Sequence, residues 1–533
     1  KSKGYSWDMG ENGGERGVYF LTIIAILVLV IAWVNFINLS TARAVKRAHE
    51  VGIRKVIGAG RRQLILQFLL EASALNLLAI LIAVALVVGL TPILDKVLGI
   101  TLEQSLLLTP TLLKGLGGLW LVGSLVSGLY PALLLSAFHP LRVLKGNFYQ
   151  RRTKLGFRQV LVTLQFSISM ILILGTIVVV RQLQFMQGQD LGLNLEQTLV
   201  IKGPTASQDR EDLRQRKNVF RDQLEQLSAV RGLTLSSVVP GVENFGISDF
   251  TTQQVPDVSH QSYIVHIDEH YFENFGIPLL HGRDFRQRFQ SDSNAVVLNR
   301  TAAKLFGFDG EEAIGQRLNP NSRWEHRVVG IVEDYHHSSF KESLDPILFI
   351  YSPGSNDYFS LKLGTQELYQ TIADIESIWE GVYPDNPFDF FFLDEFFDRQ
   401  YKSDRQFNKV FTGFALLAIV VACMGLFGLV SFTVEQSRKE IGIRKVLGAP
   451  LLRLIVLFLR DYAWMIGVSM VIAFPLGYYF MTRWLHDFAY PIQLHPIYFV
   501  VSALAIILIA VATVGFKSFQ AANSNPVESL REE

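Results

Sequence analysis

The chain has 533 residues, of which 50% are hydrophobic and only 18% are charged. Soluble globular chains usually carry about 25% charged residues, so this deficit indicates long apolar segments. The formal net charge of +1 points to no class of charged partner, and we expect no nucleic-acid partner. Cys423 is the only cysteine, which excludes an intramolecular disulfide.

Long apolar segments recur along the chain. A membrane-spanning helix needs about 20 mainly apolar residues. Seven segments without Asp, Glu, Lys or Arg meet this length, and seven such segments are not expected in one soluble chain. The predicted spans are 17–42, 72–94, 115–141, 159–180, 410–434, 462–482 and 488–516.

The loops between these spans differ in basic residues, and Lys and Arg accumulate in cytoplasmic loops. Loops 43–62, 142–158 and 435–461 are rich in Lys and Arg, whereas 95–114 and 483–487 hold two and one. The sequence therefore predicts that the three basic loops are cytoplasmic. The predicted protein therefore crosses the membrane several times.

Residues 182–409 are too long and too polar for a simple loop, and they predict a folded α/β (α+β) domain on the outer side. Short β-rich segments alternate with helical patterns and turn signals. The predicted strands are Thr198–Ile201, Tyr263–Ile267, Ala295–Leu298, Arg327–Val332 and Ile347–Tyr351. The predicted helices are Glu211–Leu227 and Leu368–Ile378.

Two polar clusters in this domain are candidates for chemistry. His266 and His270 lie four residues apart, but the apolar residues around His266 indicate a strand end, and the pattern is not that of a zinc protease. Asp334, His336 and His337 follow another predicted strand, and a solvated strand end is the simpler interpretation. We expect no metal site and no catalytic residue, and therefore no enzymatic activity in this chain.

An internal repeat organises the chain. Residues 50–59 read Glu-Val-Gly-Ile-Arg-Lys-Val-Ile-Gly-Ala, and residues 440–449 read Glu-Ile-Gly-Ile-Arg-Lys-Val-Leu-Gly-Ala. The starts are 390 positions apart, and the two differences are conservative. A weaker echo is Pro140-Leu-Arg-Val-Leu against Pro526-Val-Glu-Ser-Leu.

The repeat predicts two equivalent sets of three spans. By symmetry a further span and outer domain should precede the first set, so we expect an intact protein of eight spans, truncated here at its N-terminus. The predicted parts are 1–16 as the tail of a missing outer domain, 17–141 as the first three-span set, 142–158 as a cytoplasmic linker, 159–181 as the first span of the second unit, 182–409 as the outer domain, 410–520 as the second three-span set and 521–533 as a cytoplasmic tail.

Each decapeptide predicts a short amphipathic helix at the cytoplasmic face. Glu50 precedes Arg54 by four residues, the favourable order for a helical ion pair. Ile53, Val56 and Ile57 form an apolar edge, with the basic residues expected to face outward, and Gly58 is expected to stop the helix. An anchor on lipid headgroups would explain the basic residues. A shared docking surface also explains the repeated apolar and glycine positions.

These motifs resemble the FtsX/MacB-type permease family, also called type VII ABC systems. Both decapeptides match the cytoplasmic signature of that family. The outer domain resembles its periplasmic core domain. The matching segments are Tyr271-Phe272, Gly276-Ile277-Pro278-Leu279, Gly282-Arg283-Asp284-Phe285, Ala295-Val296-Val297-Leu298-Asn299, Gly315, Val328-Val329-Gly330-Ile331-Val332 and Asp334, with Asn525-Pro526 near the end of the chain.

The resemblance implies that the decapeptide helices couple the chain to a cytoplasmic ABC ATPase dimer. The implied coupling residues are Glu50, Gly52, Ile53, Arg54, Lys55, Gly58, Glu440, Gly442, Ile443, Arg444, Lys445 and Gly448. No Gly-x-x-x-x-Gly-Lys-Ser/Thr phosphate loop occurs anywhere in the 533-residue sequence. We therefore expect the partner to bind ATP and this chain to need no cofactor.

The resemblance implies a location in the bacterial inner membrane, with a large periplasmic domain, and a function in ABC-driven efflux, export or mechanotransmission. Membrane lipid and a periplasmic adaptor, outer-membrane protein or hydrolase are possible further partners. One alternative is a signal relay that activates a cell-wall hydrolase or a sensor without transport. A secondary transporter is disfavoured because the predicted spans lack the charged residues that such pathways use.

Overall fold

The structure is a computed structural model, and its helices and strands are given for the residues that it describes. Those residues are 11–98, 109–136, 156–205, 210–242, 246–254, 257–285, 294–319, 325–337, 340, 343–352, 357–364, 367–436 and 451–522. Within them the α-helices are α1 (Glu11–Val56), α2 (Arg61–Leu98), α3 (Pro110–Ser136), α4 (Phe157–Gln187), α5 (Arg210–Glu225), α6 (Tyr271–Phe275), α7 (Arg300–Leu305), α8 (Leu368–Val382), α9 (Leu393–Gln400), α10 (Lys402–Gln436), α11 (Leu451–Leu485) and α12 (Pro496–Ala522).

Seven helices of the described chain are long and apolar enough to cross a membrane, which confirms the predicted number of spans. They are α1–α4 and α10–α12. Their apolar windows are Val18–Thr41, Arg61–Ile93, Pro110–Leu133, Arg158–Gln187, Arg405–Ser431, Tyr462–Leu485 and Pro496–Lys517.

Several predicted span boundaries were wrong. The second span was expected to begin at residue 72, after Glu71, but α2 begins at Arg61 and includes that carboxylate. The seventh span was expected from residue 488, but residues 488–495 are not helical and α12 begins at Pro496. Proline is favoured at the first position of a helix, where its missing N–H has no partner to lose.

The two three-span sets correspond closely in their helix starts. Helix α2 begins at Arg61 and α11 at Leu451, which is the 390-residue spacing of the decapeptides. The third helices both begin with proline, Pro110 in α3 and Pro496 in α12. The repeat therefore extends from sequence motifs to helix boundaries.

The chain divides into two compact units. The first contains the membrane helices, and the second consists of Leu183–Asp404 together with Leu485–Ile492. In the first unit, α4 packs against α10, α11 and α12 around an apolar core. Buried members of that core are Phe166, Met170, Leu426, Val430, Tyr462, Ile466, Ile506 and Ala510.

Polar side chains also tie these membrane helices together. The Gln165 amide on α4 donates to the Ala422 carbonyl on α10 at 2.9 Å. The Ser469 hydroxyl on α11 donates to the Thr163 carbonyl on α4 at 2.9 Å. Interhelical hydrogen bonds of this kind hold membrane helices in a fixed register, because lipid offers no alternative partner.

The second unit is built on a mixed sheet in which the strand order is β11-β1-β10-β2-β4-β9-β6-β8-β5, with β3 on β4 and β7 on β8. Its strands are β1 (Thr198–Lys202), β2 (Val230–Ser236), β3 (Gly246–Phe250), β4 (His260–Ile267), β5 (Leu279–Gly282), β6 (Ala295–Asn299), β7 (Arg317–Leu318), β8 (His326–Val332), β9 (Ile347–Tyr351), β10 (Tyr358–Leu363) and β11 (Phe390–Phe392). The pairs β4–β9 and β6–β8 are parallel, and the other pairs are antiparallel.

Two separate hydrophobic cores lie along this sheet. In the first, α5 and α8 cover β1, β2 and β10, and Phe220 and Trp379 are fully buried. In the second, α7 packs on β6 and β8, with Leu298 and Val328 fully buried. This arrangement confirms the predicted α/β class of the domain.

The two parts of the sheet meet between β2 and β4, where only Ser236 and Ile267 are paired in register. The buried Asp268 carboxylate strengthens this short junction because it accepts from the Thr234 hydroxyl and, at 2.8 Å, from the Leu235 N–H. Burial raises the pKa of Asp268, whereas these hydrogen bonds act in the opposite direction.

The five predicted strands and the two predicted helices of this domain are all present, with small shifts at their ends. Six strands and three short helices were not predicted. They include β11, which has three residues, and α6, which has five, and such lengths give too little periodicity to detect. The second unit begins at Leu183, which lies within the long helix α4.

Candidate coupling site

The first decapeptide lies at the end of α1 and in the turn to α2. It is not a separate short helix, because α1 continues without interruption from Glu11 to Val56. The predicted stop at Gly58 is present: its φ is +106°, a conformation that side chains other than glycine's rarely adopt. The Gly58 N–H donates to the Lys55 carbonyl at 3.1 Å and the Ala59 N–H to the Arg54 carbonyl at 2.9 Å, which is the Schellman pattern of a helix end.

The predicted ion pair is formed on this last turn. Arg54 lies 2.7 Å from the Glu50 carboxylate, and both side chains are about half exposed, at 43% and 56%. Arg54 also donates to the Gln67 side chain of α2 at 2.6 Å. An exposed pair adds little stability on its own, typically below about 1 kcal/mol. The hydrogen bond from Arg54 to Gln67 connects the end of α1 to the beginning of α2.

Two basic residues at this turn contact α3. The Lys55 ammonium donates to the Ser136 carbonyl at 2.7 Å, and the Arg61 Nε donates to the Ser136 hydroxyl at 3.4 Å. Ser136 is buried, and so are Val51 and Gly52, which precede the turn on α1. Lys55 and Arg61 therefore tie the turn to the end of α3.

The predicted outward orientation of the basic residues is seen for Arg54 and Arg61, which are exposed, whereas Lys55 is half-buried against α3. Ile53, Val56 and Ile57 are exposed by 43%, 66% and 80%. The apolar edge consequently forms an exposed strip at the tip of the turn.

The second decapeptide, 440–449, lies outside the described residues, and so do its predicted coupling residues. They are Glu440, Gly442, Ile443, Arg444, Lys445 and Gly448. Their role, like that of the first copy, stays a prediction.

A cavity near the first copy was not anticipated from the sequence. It has a volume of about 210 Å³ and lies among α1, α2 and α3, lined by Ser40, Phe68, Glu71, Ser127 and Pro131. Glu71 was missed as a lining residue because it was interpreted as the boundary of a span. The sequence did hold a signal, since Asp461 stands 390 positions later.

Among the described residues, the histidine candidates of the outer domain belong to no cluster of three metal-ligating side chains. His266 lies in β4 and His270 precedes α6, so the two are not on one helix. His337 is buried, and its Nε2 lies 3.0 Å from the Val242 carbonyl. Burial lowers the pKa of His337 to about 3, so it stays neutral at physiological pH.

Asp334 also has a structural role. Its carboxylate accepts from the Thr301 N–H at 2.8 Å and from the Thr301 hydroxyl at 3.0 Å, at the beginning of α7. The His336 ring stacks on Phe340, with centroids 3.8 Å apart, and meets Tyr490 edge-on at 5.3 Å. The interpretation of this cluster as a solvated strand end was therefore wrong, because its side chains are engaged in packing and helix capping.

Asp284 gives the outer domain a testable pH dependence. Burial raises the pKa of this carboxyl to about 6, helped by the charge of Asp268 and opposed by His270 and Arg283. In the unfolded chain the pKa is about 3.9, so the folded state holds the proton more tightly. The stability that the protonated group contributes is full below about pH 4 and is lost as the pH rises to about 6.

We therefore expect Asp284→Asn to raise the melting temperature at pH 7 and to flatten its change between about pH 4 and 6. Melting of the full chain in detergent, followed across this range, measures both effects. Asp249→Asn, at an exposed position on β3, is the matched control and should leave the profile unchanged. An Asp284→Asn profile parallel to that of the wild type would contradict the assignment.

Comparison with known families follows the division of the structure. The model of the FtsX-like permease C-terminal domain matches residues 22–147 and again 412–526, and the model of the MacB-like periplasmic core domain matches residues 160–377. The chain belongs to the FtsX/MacB-type permease family. The two FtsX matches contain α1–α3 and α10–α12, which confirms the duplication predicted from the decapeptides.

Individual relatives of this FtsX/MacB-type permease share only parts of its length. The macrolide export ATP-binding/permease protein MacB of Bdellovibrio bacteriovorus is 34% identical over 125 residues, which are 24% of this chain and 19% of the relative. MacB of Aggregatibacter actinomycetemcomitans is 22% identical over 252 residues, 45% of this chain and 37% of the relative. The chain thus spans less than half the length of these curated relatives.

Among solved structures, the periplasmic region of MacB from Actinobacillus actinomycetemcomitans is similar to this FtsX/MacB-type permease. The two chains share 16% sequence identity, with a TM-score of 0.29. The match covers 40% of this chain and 95% of the MacB periplasmic region.

Proposed function

We propose that this chain is the permease of an ABC-type export or mechanotransmission system in the bacterial inner membrane. An ATPase dimer outside these 533 residues would dock on the α1–α2 turn and on the second decapeptide. The chain supplies both permease halves because it contains both three-span sets. ATP-driven movement of the dimer would pass through the membrane helices to the outer domain.

The observation that carries the proposal is the exposed strip formed by Ile53, Val56 and Ile57 on a rigid turn. Its rigidity comes from the Gly58 helix end, the contacts of Arg54 with Glu50 and Gln67, and the bond from Lys55 to Ser136. An apolar strip with polar surroundings is typical of a protein interface. The basic residues of this loop predict that the strip is on the cytoplasmic side, where ATP is available.

Ile57→Asp tests the docking step. We expect it to weaken capture of an ABC ATPase that co-purifies with the wild-type chain by about 30-fold, which corresponds to about 2 kcal/mol for an interface hot spot. Pull-down of the tagged ATPase with purified full chain in nanodiscs gives the affinity. Tyr369→Asp is the matched control, because Tyr369 is 93% exposed but lies on α8 of the outer domain. Equal affinities for the two variants would contradict docking at the turn.

Export and signal relay differ in the outer partner. Cross-linking in intact cells through Tyr369 variants of the outer domain, followed by mass spectrometry, identifies that partner. An adaptor or outer-membrane protein supports export, whereas a peptidoglycan hydrolase or sensor kinase supports the relay.

A further inference from the structure

The internal repeat continues from the decapeptide into the preceding membrane helices, where it joins unlike residues. At the 390-residue spacing, Asn35 of α1 corresponds to Gly425 of α10, and Asn38 corresponds to Gly428. One helix thus carries Asn-x-x-Asn where its counterpart carries Gly-x-x-Gly. Positions three residues apart lie on one face of a helix.

The first pair of corresponding residues, Asn35 and Gly425, meets in the structure, and Gly428 lies against Leu39, the neighbour of Asn38. The Asn35 amide donates to the Val421 carbonyl of α10 at 2.5 Å. A Cβ atom added to Gly425 would overlap the Asn35 side-chain oxygen, and a Cβ added to Gly428 would lie 2.6 Å from a methyl group of Leu39. A residue that touches its own counterpart lies on the axis that relates two equivalent halves. The helices α1 and α10 therefore cross at the pseudo-twofold axis of the bundle.

The unlike residues at this crossing complement each other in size. Asn35 and Asn38 are 7% and 3% exposed, so both amides are buried in the bundle. Gly425 on α10 provides the space for Asn35, and the Asn35 amide supplies an interhelical hydrogen bond. Small residues such as Gly425 and Gly428 also let helix backbones approach. Asparagine on both helices would overlap, and glycine on both would leave a gap without this bond.

Burying these amides has a cost, which apolar residues would avoid. Among the described residues the side-chain oxygens of Asn35 and Asn38 are buried without a hydrogen-bond partner. A buried unpaired polar group costs about 1–3 kcal/mol. Buried polar residues that lower stability in this way can specify which helices pair, as a single asparagine does in coiled coils.

We propose that Asn35 and Asn38 of α1, and Gly425 and Gly428 of α10, form a matched interface that pairs the first three-span set with the second set of the same chain. The same four residues disfavour pairing of either helix with its identical copy in a second chain. This inference rests on the proposed function only in that one chain supplies both permease halves, and it involves no ATPase.

An exchange of residues tests the inference. Three variants of the full chain are compared: Asn35→Gly with Asn38→Gly, Gly425→Asn with Gly428→Asn, and all four substitutions together. Both half-exchanged variants should melt several degrees below the wild type in nanodiscs, and the full exchange should recover most of that loss. A full exchange that melts below both half-exchanged variants overturns the proposal, because independent effects would add.

Two checks accompany the exchange. Gly413→Asn introduces the same side chain on α10 where a Cβ atom has no neighbour within 4 Å, and it should cost much less than Gly425→Asn. Should a half-exchanged variant not accumulate, recovery of expression in the full exchange supports the matched interface, and continued loss overturns it.

Partner choice is tested by expressing the two half-exchanged chains together with different affinity tags. The asparagine face of one chain now fits the glycine face of the other, so capture through one tag should retrieve both chains. In a wild-type chain, α1 already pairs with α10 of the same chain. Two tagged wild-type chains should therefore show at least tenfold less joint capture. Equal joint capture in the two experiments overturns the assignment of partner choice to these residues. None of these measurements involves ATP, so their failure leaves the docking proposal intact.

Discussion

Replacing Gly52 and Gly442 with proline together is expected to abolish stimulation of the partner ATPase while membrane insertion persists. Gly52 is buried in the last turns of α1, and proline there removes a backbone hydrogen bond and clashes with the preceding turn, at a cost of about 3 kcal/mol. The exposed strip would then no longer be held by a continuous helix. Gly442 lies outside the described residues and is chosen because it is the repeat counterpart.

ATP hydrolysis by the ATPase, reconstituted with full chain in liposomes, measures this effect. Gly52→Ala with Gly442→Ala is the control, because alanine keeps the backbone N–H and favours the helix. We expect each single proline variant to retain part of the stimulation, since two copies receive the force. Wild-type stimulation in the double proline variant would rule out the coupling assignment.

Trp379→Ala is expected to lower the free energy of unfolding of the outer domain by about 3–5 kcal/mol. Trp379 is fully buried, and its ring lies 5.3 Å from Phe220 and 4.7 Å from Tyr383 between centroids. Its indole N–H donates to the Asn386 carbonyl at 3.0 Å. Truncation removes these contacts, leaves a cavity and removes the donor from a backbone carbonyl.

Limited proteolysis of the full chain in detergent, as a function of urea, reports the opening of this domain. Trp464→Ala is the matched control, because Trp464 on α11 is 67% exposed. It should leave cleavage between residues 183 and 404 unchanged. Similar protease resistance of Trp379→Ala and wild type would show that the core tolerates the cavity.

Most of the membrane architecture could be predicted because hydropathy identifies a span without tertiary contacts. The errors arose where charge was used as a boundary. Glu71 was taken as the end of a loop although α2 continues through it, and residues 488–495 were included in a span because they carry no charge. Local charge is a weak guide to helix ends, which capping residues and proline determine.

At the candidate coupling site, the sequence predicted the local contacts but not the distant ones. The Glu50–Arg54 pair and the Gly58 helix end depend on near neighbours, so their pattern was readable. The inward turn of Lys55 depends on Ser136, which is 81 residues away. Periodicity identified an apolar face but not whether that face is packed.

The interface of α1 with α10 was missed for a different reason. Comparison of the two repeats rested on identical positions, whereas here the informative positions differ in a complementary way. Asn35 against Gly425 is unremarkable as an alignment column, and its meaning appears only when the two residues are found in contact. Aligned positions that differ in size are therefore worth testing as candidate contacts in any fused repeat.

The uninterrupted course of α1 has a geometric consequence. Its 46 residues form one rod of about 69 Å, at about 1.5 Å per residue. When such a rod tilts by about 10°, one end moves by about 12 Å relative to the other. Because α1 has no break between Glu11 and Val56, a small rotation at the decapeptide would displace the Glu11 end of the helix by this distance.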